Sequence, residues 1–163
     1  PDDMREQIPK VRDVVAALGF PVYEREGFEA DDVIATLTGQ AEAAGFDVTI
    51  LTGDLDMLQL VTEQTRLMTP RSGVENTILY DPEKIDERFG LVAGQMIDYK
   101  ALKGDPSDNI PGVPGVGEKT AAKLIRDFGS LAAMYERIDG GTALSSNGHL
   151  HPLLLGAVAP VDA

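Results

Sequence analysis

The chain has no cysteine, so neither a disulfide framework nor a thiolate zinc centre can organise it. That absence fits a reducing, cytoplasmic setting. No apolar run approaches the roughly 20 residues that span a bilayer. The sequence opens at Pro1 without an initiating Met or a signal-peptide pattern, which predicts a piece of a longer chain. Positive charge is scarce: 14 Lys and Arg stand against 27 Asp and Glu, for a net charge of −13. Phosphate binding draws on Lys and Arg, so the balance argues against a general nucleic-acid binder. The acidic excess is then either a solvated surface or a set of carboxylates that hold cations, and position along the chain decides between them.

The 163 residues, 43% of them hydrophobic, suffice for one domain with a buried core, with or without an appendage. Apolar residues at helical spacing predict a helix over 4–18, ended by Gly19, and a second over 30–44, ended by Gly45. Residues 20–23 read as a short strand, and the β-branched, apolar run at 47–52 reads as a buried strand of a parallel sheet. A short helix is expected over 55–60, with strands near 65–69 and 78–80. Residues 1–80 thus alternate helix and strand, the pattern of an α/β sheet with helices on its faces. From Asp81 only helical patterns follow, opened by Pro82 and continuing over 93–102, 117–128 and 130–137, so 81–139 reads as a helical subdomain. Between Gly140 and Val161 there is no Asp, Glu, Lys or Arg, against 25% charged residues overall. Residues 140–163 are accordingly expected to form an atypical, unpacked tail.

Three acidic clusters stand out: Glu29, Asp31 and Asp32 at the start of the second helix, Asp54 and Asp56 after the strand at 47–52, and Asp105 and Asp108 in the loop after the helix at 93–102. Each has a structural explanation. Carboxylates oppose the dipole at a helix N-terminus, Asp54 suits an N-cap, and Asp105 and Asp108 suit a turn beside Pro106. Taken together they point further. Ligands of open α/β sheets bind outside the carboxyl ends of the strands, where Asp54 and Asp56 fall and which Glu29 and Asp31 are expected to reach. Packed carboxylates repel unless they are protonated or bind cations. Hard oxygen donors suit Mg²⁺ or Mn²⁺, and two such ions roughly 4 Å apart support phosphodiester cleavage. Other motifs fail. Asp54 and Asp56 lack a second motif for an aspartyl phosphotransferase. An EF-hand starting at Asp105 would need Gly where Ile110 stands and Glu where Val116 stands. Glu118 spoils a P-loop over Gly112–Thr120, and no strand precedes it.

The stretch from Gly112 to Arg126 is the most specific. Gly115 and Gly117 allow a tight hairpin and close approach of a ligand to the backbone. The helix behind it offers free N–H groups and a positive dipole end to a phosphate. Lys119, Lys123 and Arg126 share one helical face, an informative stripe in so acidic a chain. An ordinary helix with a Gly-rich cap and solvated lysines is the plainer alternative.

In these residues the chain resembles a known family, the 5′-nuclease (5′-3′ exonuclease, flap endonuclease) domains of the kind fused to bacterial DNA polymerase I. The matching stretches are Gly27-Phe28-Glu29-Ala30-Asp31-Asp32, Leu51-Thr52-Gly53-Asp54-Leu55-Asp56 with Gln59-Leu60, Tyr99 through Asn109, and Gly112–Gly117 followed by Glu118-Lys119-Thr120-Ala121. Their order and spacing also match, over about residues 1–138. The resemblance implies a PIN-like α/β core, incomplete here, followed by a helix–hairpin–helix subdomain. It implies a monomeric enzyme that hydrolyses DNA at 5′ ends and flap junctions with two Mg²⁺ or Mn²⁺ ions, continuous with a polymerase and without a membrane association. Glu29, Asp31, Asp54 and Asp56 resemble the family's catalytic metal-site carboxylates, with Asp32 beside them and Asp105 and Asp108 as a more distal pair. Gly112, Gly115, Gly117, Lys119, Thr120, Lys123 and Arg126 resemble the element that grips the duplex backbone, in some members with a K⁺ ion at the hairpin carbonyls. Family members begin with an Asp-Gly strand, a second Asp-bearing strand and a basic arch. None of these precedes Pro1, so an N-terminally truncated and catalytically incomplete domain is expected. Two rival functions are a non-catalytic helix–hairpin–helix module, for which seven clustered carboxylates are superfluous, and an RNA-directed PIN-type nuclease, against which the hairpin and basic helix speak.

Overall fold

The structure, a computed structural model, describes residues 2–71 and 76–139; the expected tail at 140–163 lies outside them. The chain divides into two compact units, residues 1–40 and residues 41 onward.

The first unit holds α1 (Asp2–Ala17) and most of α2 (Ala30–Ala43). Gly19, with φ of +77°, closes the end of α1, because this left-handed conformation costs glycine nothing. Residues 20–23 do not form the expected strand. Phe20, Val22 and Tyr23 are all exposed, and strand-like composition alone does not supply the pairing a strand needs. Glu29 precedes α2, and its N–H donates to the Asp32 carboxylate at 3.0 Å, the N3-to-N-cap half of a capping box.

The second unit carries a mixed three-stranded sheet in the order β1 (Val48–Leu51), β2 (Thr65–Pro70), β3 (Thr77–Tyr80). β1 runs parallel to β2, with Ile50 opposite Leu67, and β3 runs antiparallel, with Tyr80 also opposite Leu67. β2 is the central strand and alternates cleanly, with Thr65, Leu67 and Thr69 buried, as a half-buried strand must. β1 is an edge among the described residues. Only Ile50 is buried along it, and Leu51 is 69% exposed, so the reading of 47–52 as buried on both faces does not hold here. A 3₁₀ turn over Leu55–Leu60 buries Met57 and Leu58 and packs on β2.

Helices fill the remainder. Asp81 caps α3 (Pro82–Phe89) by accepting the Lys84 N–H at 2.8 Å, and Pro82 occupies the first turn, where no N–H is needed. A 3₁₀ turn at Ala93–Gln95 leads into α4 (Met96–Lys103), followed by α5 (Glu118–Phe128) and α6 (Leu131–Asp139). α4 packs on both the 55–60 turn and α5. It buries Tyr99 and Leu102, while α5 buries Ala121, Ala122, Leu124 and Ile125. This apolar spacing at i, i+1, i+3 and i+4 is the face of an amphipathic helix.

Between α4 and α5 the chain makes a closed loop. Asp105 and Ile110 exchange two backbone hydrogen bonds of 2.8 Å each. Behind that bridge Gly104 and Gly112 meet backbone to backbone: a Cβ on Gly112 would stand 2.5 Å from the Gly104 nitrogen, and both glycines have positive φ, +82° and +65°. Gly112→Ala combines a backbone clash with left-handed strain and is expected to destabilise the protein by roughly 2–4 kcal/mol. Gly94→Ala, whose Cβ would meet nothing within 4 Å, should be nearly neutral. Urea unfolding of the two variants checks this, and equal midpoints would remove the glycine pair from the account.

Candidate functional site

The 55–60 turn starts where β1 has ended. Thr52 accepts the Asp54 N–H at 3.1 Å, and Asp54 in turn accepts the Asp56 N–H at 2.9 Å. The Asp54 carboxylate is thus the N-cap of the turn. This fixes the backbone of Asp56, whose carbonyl also accepts from Gln59 Nε2 at 3.0 Å, and leaves the Asp56 side chain directed elsewhere. The 105–110 loop is built the same way. Asp105 caps a 3₁₀ turn at Pro106–Asp108, accepting the Ser107 N–H at 2.8 Å and the Ser107 hydroxyl. Asn109 adopts the left-handed conformation, φ +57°, that Asn tolerates better than most residues.

These two turns, with Asp56 and Asp105 standing 49 positions apart in sequence, bring three carboxylates together. One oxygen each of Asp56, Asp105 and Asp108 lies within 4.8 Å of the others, the one such acidic or histidine group found among the described residues. The group lines a cleft of about 500 Å³ with Lys100, Lys103 and Tyr99. Lys100, from the middle of α4, reaches all three: its Nζ lies 3.2 Å from Asp105 Oδ2 and contacts Asp56 Oδ2 and Asp108 Oδ2. Burial works to lower the Lys100 pKa, but the contacts with Asp108, Asp56 and Asp105 outweigh it and raise it above its ordinary value. The Asp105 pKa moves the other way, to about 2 from 3.8, chiefly through the Ser107 hydroxyl and N–H, with Lys100 adding to the effect against a small cost of burial.

Of the seven carboxylates singled out in the sequence, the structure gathers Asp56, Asp105 and Asp108. Asp54 is not in the triad; one of its carboxylate oxygens accepts the Asp56 N–H as the cap of the turn. Glu29, Asp31 and Asp32 stand before and within the first turn of α2 in the first unit. Lys100 had no assigned role in the sequence, although it lies in the stretch from Tyr99 to Asn109; a cation one helical span before two clustered aspartates was the available signal.

The hairpin is a turn rather than a pair of strands. Val113 donates to the Leu102 carbonyl at 2.9 Å and Val116 to the Val113 carbonyl at 2.9 Å. Gly115 has φ of +80°, whereas Gly117 has φ of −95° and serves as the N-cap of α5. A Cβ at Gly117 would meet open space, so nothing inside the protein requires its bareness. Gly112 is different, because its bareness is used against Gly104. Along α5, Lys119 and Lys123 are exposed. Lys123 pairs with Asp127 at 2.8 Å, Lys119 makes no ion pair among the described residues, and the Arg126 guanidinium lies over Gly90. Thr120 is half-buried. The stripe is therefore one lysine without an ion pair, followed along α5 by a paired lysine and by an arginine lying against Gly90.

The ionised form of Asp105, its pKa lowered on folding, contributes stability that is complete above 3.8 and is lost as the pH falls through about 2. Ser107→Ala removes the hydroxyl donor, and the Asp105 titration midpoint, followed by NMR of its side-chain carbon, should rise toward 3.8. An unmoved midpoint would show that the hydroxyl does not hold the charge.

Two family models cover the chain: "5′-3′ exonuclease, N-terminal resolvase-like domain" over residues 1–90 and "5′-3′ exonuclease, C-terminal SAM fold" over residues 91–152. Among curated relatives, DNA polymerase I of Mycobacterium tuberculosis (strain ATCC 25618 / H37Rv) is 47% identical over 152 residues, 90% of this chain and 17% of the relative. DNA polymerase I of Bacillus subtilis (strain 168) is 47% identical over 139 residues, 85% of this chain and 16% of the relative. The chain thus spans about one sixth of the length of these relatives. Among solved structures, the T5 D15 protein co-crystallised with metal ions superposes with a TM-score of 0.77 at 22% identity, covering 96% of this chain and 55% of that one, a likeness of fold.

Proposed function

We propose, from the fact that this chain belongs to the 5′-3′ exonuclease family, that it forms part of a divalent-metal-dependent nuclease that hydrolyses DNA from 5′ ends and at flap junctions. The observation that carries the reading is the convergence of Asp56, Asp105 and Asp108 oxygens within 4.8 Å. The donor set fits the ion. All three donors are carboxylate oxygens, the hard ligands that Mg²⁺ and Mn²⁺ take, and no thiolate is available to favour zinc. Asp56, Asp105 and Asp108 would hold one ion, and Asp54, with Glu29, Asp31 and Asp32 of the first unit, are the further metal-site carboxylates that the family resemblance implies for a two-ion nuclease. When bound, such ions supply the nucleophile and stabilise the charge that builds up on the phosphate oxygens during hydrolysis. The chain's own residues do the positioning. Asp54 and Ser107 fix the turns that present Asp56 and Asp105, and the Gly104–Gly112 contact closes the loop that carries Asp108.

Substrate grip is assigned to Gly112, Gly115, Gly117, Lys119, Thr120, Lys123 and Arg126. In a protein of net charge −13, DNA is held only where donors locally outnumber carboxylates, and the start of α5 is such a place. A K⁺ ion at the turn carbonyls and a cytoplasmic setting belong to the same reading, as does a monomer continuous with a polymerase. The polymerase is supported by the DNA polymerase I relatives, of which this chain spans one sixth. Among the described residues no helix is long and apolar enough to cross a membrane. A DNA-gripping module without catalysis would leave the carboxylate triad without a purpose.

One set of titrations separates the two roles. With Mn²⁺ in a calorimeter, Asp56→Asn should bind at least about tenfold more weakly than the natural chain, and Lys119→Ala should bind equally well. With a 5′-flap duplex, Lys119→Ala should weaken binding and flatten the dependence of log affinity on log salt by about one unit, from a slope of roughly −2 to −3. Arg12→Ala, on α1 and paired with Glu24, is the control and should change neither. Unchanged Mn²⁺ affinity in Asp56→Asn would refute the metal assignment, and unchanged DNA binding in Lys119→Ala would refute the grip.

A further inference from the structure

The ammonium of Lys100 stands where the oxygens of the triad converge. It contacts Oδ2 of Asp56, Oδ2 of Asp105 at 3.2 Å and Oδ2 of Asp108, one oxygen from each carboxylate. An ordinary surface lysine pairs with one partner, as Lys84 does with Glu87 and Lys123 with Asp127. Lys103, one turn further along α4, approaches a single carboxylate, Glu118, at 3.8 Å. Lys100 instead pairs with three carboxylates, donating hydrogen bonds to Asp56 and Asp108 and lying 3.2 Å from Asp105, with its side chain 18% exposed. A compact point charge on a flexible four-carbon stem is the side chain best suited to that position.

A divalent ion ligated by the same three oxygens would need to sit about 2.0–2.2 Å from each. Such an ion and the Lys100 nitrogen would then lie within roughly 2–4 Å of each other, two like charges sharing one set of lone pairs. Both cannot occupy the triad. Resting on the reading of the triad as a divalent-cation centre, we propose that Lys100 is a built-in counter-cation that competes with the metal: it holds Asp56, Asp105 and Asp108 together and is displaced from them when the metal binds. Lys100 is thus a positioning residue that sets metal affinity. Two opposing effects follow from its removal. Loss of the lysine leaves three carboxylates to repel and spread, which weakens metal binding. It also frees all three oxygens and leaves the triad one charge more negative, which strengthens binding. Because the ammonium contacts one oxygen of each carboxylate that would ligate the ion, occupancy outweighs preorganisation.

The test is calorimetric titration of Mn²⁺ into the full chain and into Lys100→Met and Lys100→Arg, with melting of each protein with and without Mn²⁺. Lys100→Met is expected to bind Mn²⁺ about tenfold more tightly than the natural chain. It should also melt at a lower temperature without the ion and recover when Mn²⁺ is saturating, because binding to the folded state stabilises it. Lys100→Arg, which keeps the charge, should stay near the natural affinity. Lys100→Gln gives the same readout if the Met variant fails to fold. Equal or weaker Mn²⁺ binding by the uncharged variants, while the natural chain binds, would overturn the competition and leave the cation centre standing. Absence of Mn²⁺ binding from both the natural chain and the uncharged variants would overturn the cation centre, and this proposal with it.

Discussion

Three carboxylates drawn to within 4.8 Å of one another are the constraint around which the second unit is arranged. Like charges at that distance repel, and the repulsion is relieved only by protons or by cations. Here a cation is supplied from within, by Lys100. The demand reaches back into the fold. Asp56 arrives on a turn whose first N–H groups are satisfied by Thr52 and Asp54. Asp105 and Asp108 arrive on a loop closed by the Asp105–Ile110 bridge and by two glycines without which the backbones could not meet. α4, packed between the 55–60 turn and α5, sets the distance between those two arms and carries the lysine.

The same economy explains why capping and metal ligation are not rival readings of these acids. A carboxylate has two oxygens. Asp105 commits Oδ1 to Ser107 and turns Oδ2 toward Lys100, so one side chain both shapes its loop and contributes to the charged centre. Asp54 commits its oxygen to the Asp56 N–H and acts on the triad through the backbone. Such shared duty holds ligand oxygens in place before any ligand is present, which lowers the cost of ordering them.

Much of this was legible in the sequence, for physical reasons that differ from place to place. The helices α1 to α6 were visible because their apolar spacing, stop glycines and Pro82 are local signals. β2, expected near 65–69, lies at Thr65–Pro70. The strand expected at 20–23 was not realised, because a strand is defined by its partner and sequence composition does not show one. The buried character expected for 47–52 was misjudged for the same reason: Leu51 looks like a core residue but lies on an edge. The triad was half legible. Asp56, Asp105 and Asp108 were singled out, but which of the seven acids meet was not, since no spacing rule tells that Asp54 caps the turn while Asp56, two residues on, reaches Lys100. Lys100 and Gly104 were missed, because contacts between α4, the 55–60 turn and the 104–112 loop are tertiary and leave no periodic trace. The glycines after Pro111 divide on similar grounds: Gly112 is spent on an internal contact, while Gly117 faces open space.

The measurement that bears most directly on this account is the anomalous scattering of crystals of the chain soaked in Mn²⁺. The account predicts a manganese peak ligated by one oxygen each of Asp56, Asp105 and Asp108, with the Lys100 ammonium moved off all three. Manganese bound elsewhere with the triad still closed around Lys100, or no manganese at the triad at saturating concentration, would contradict it.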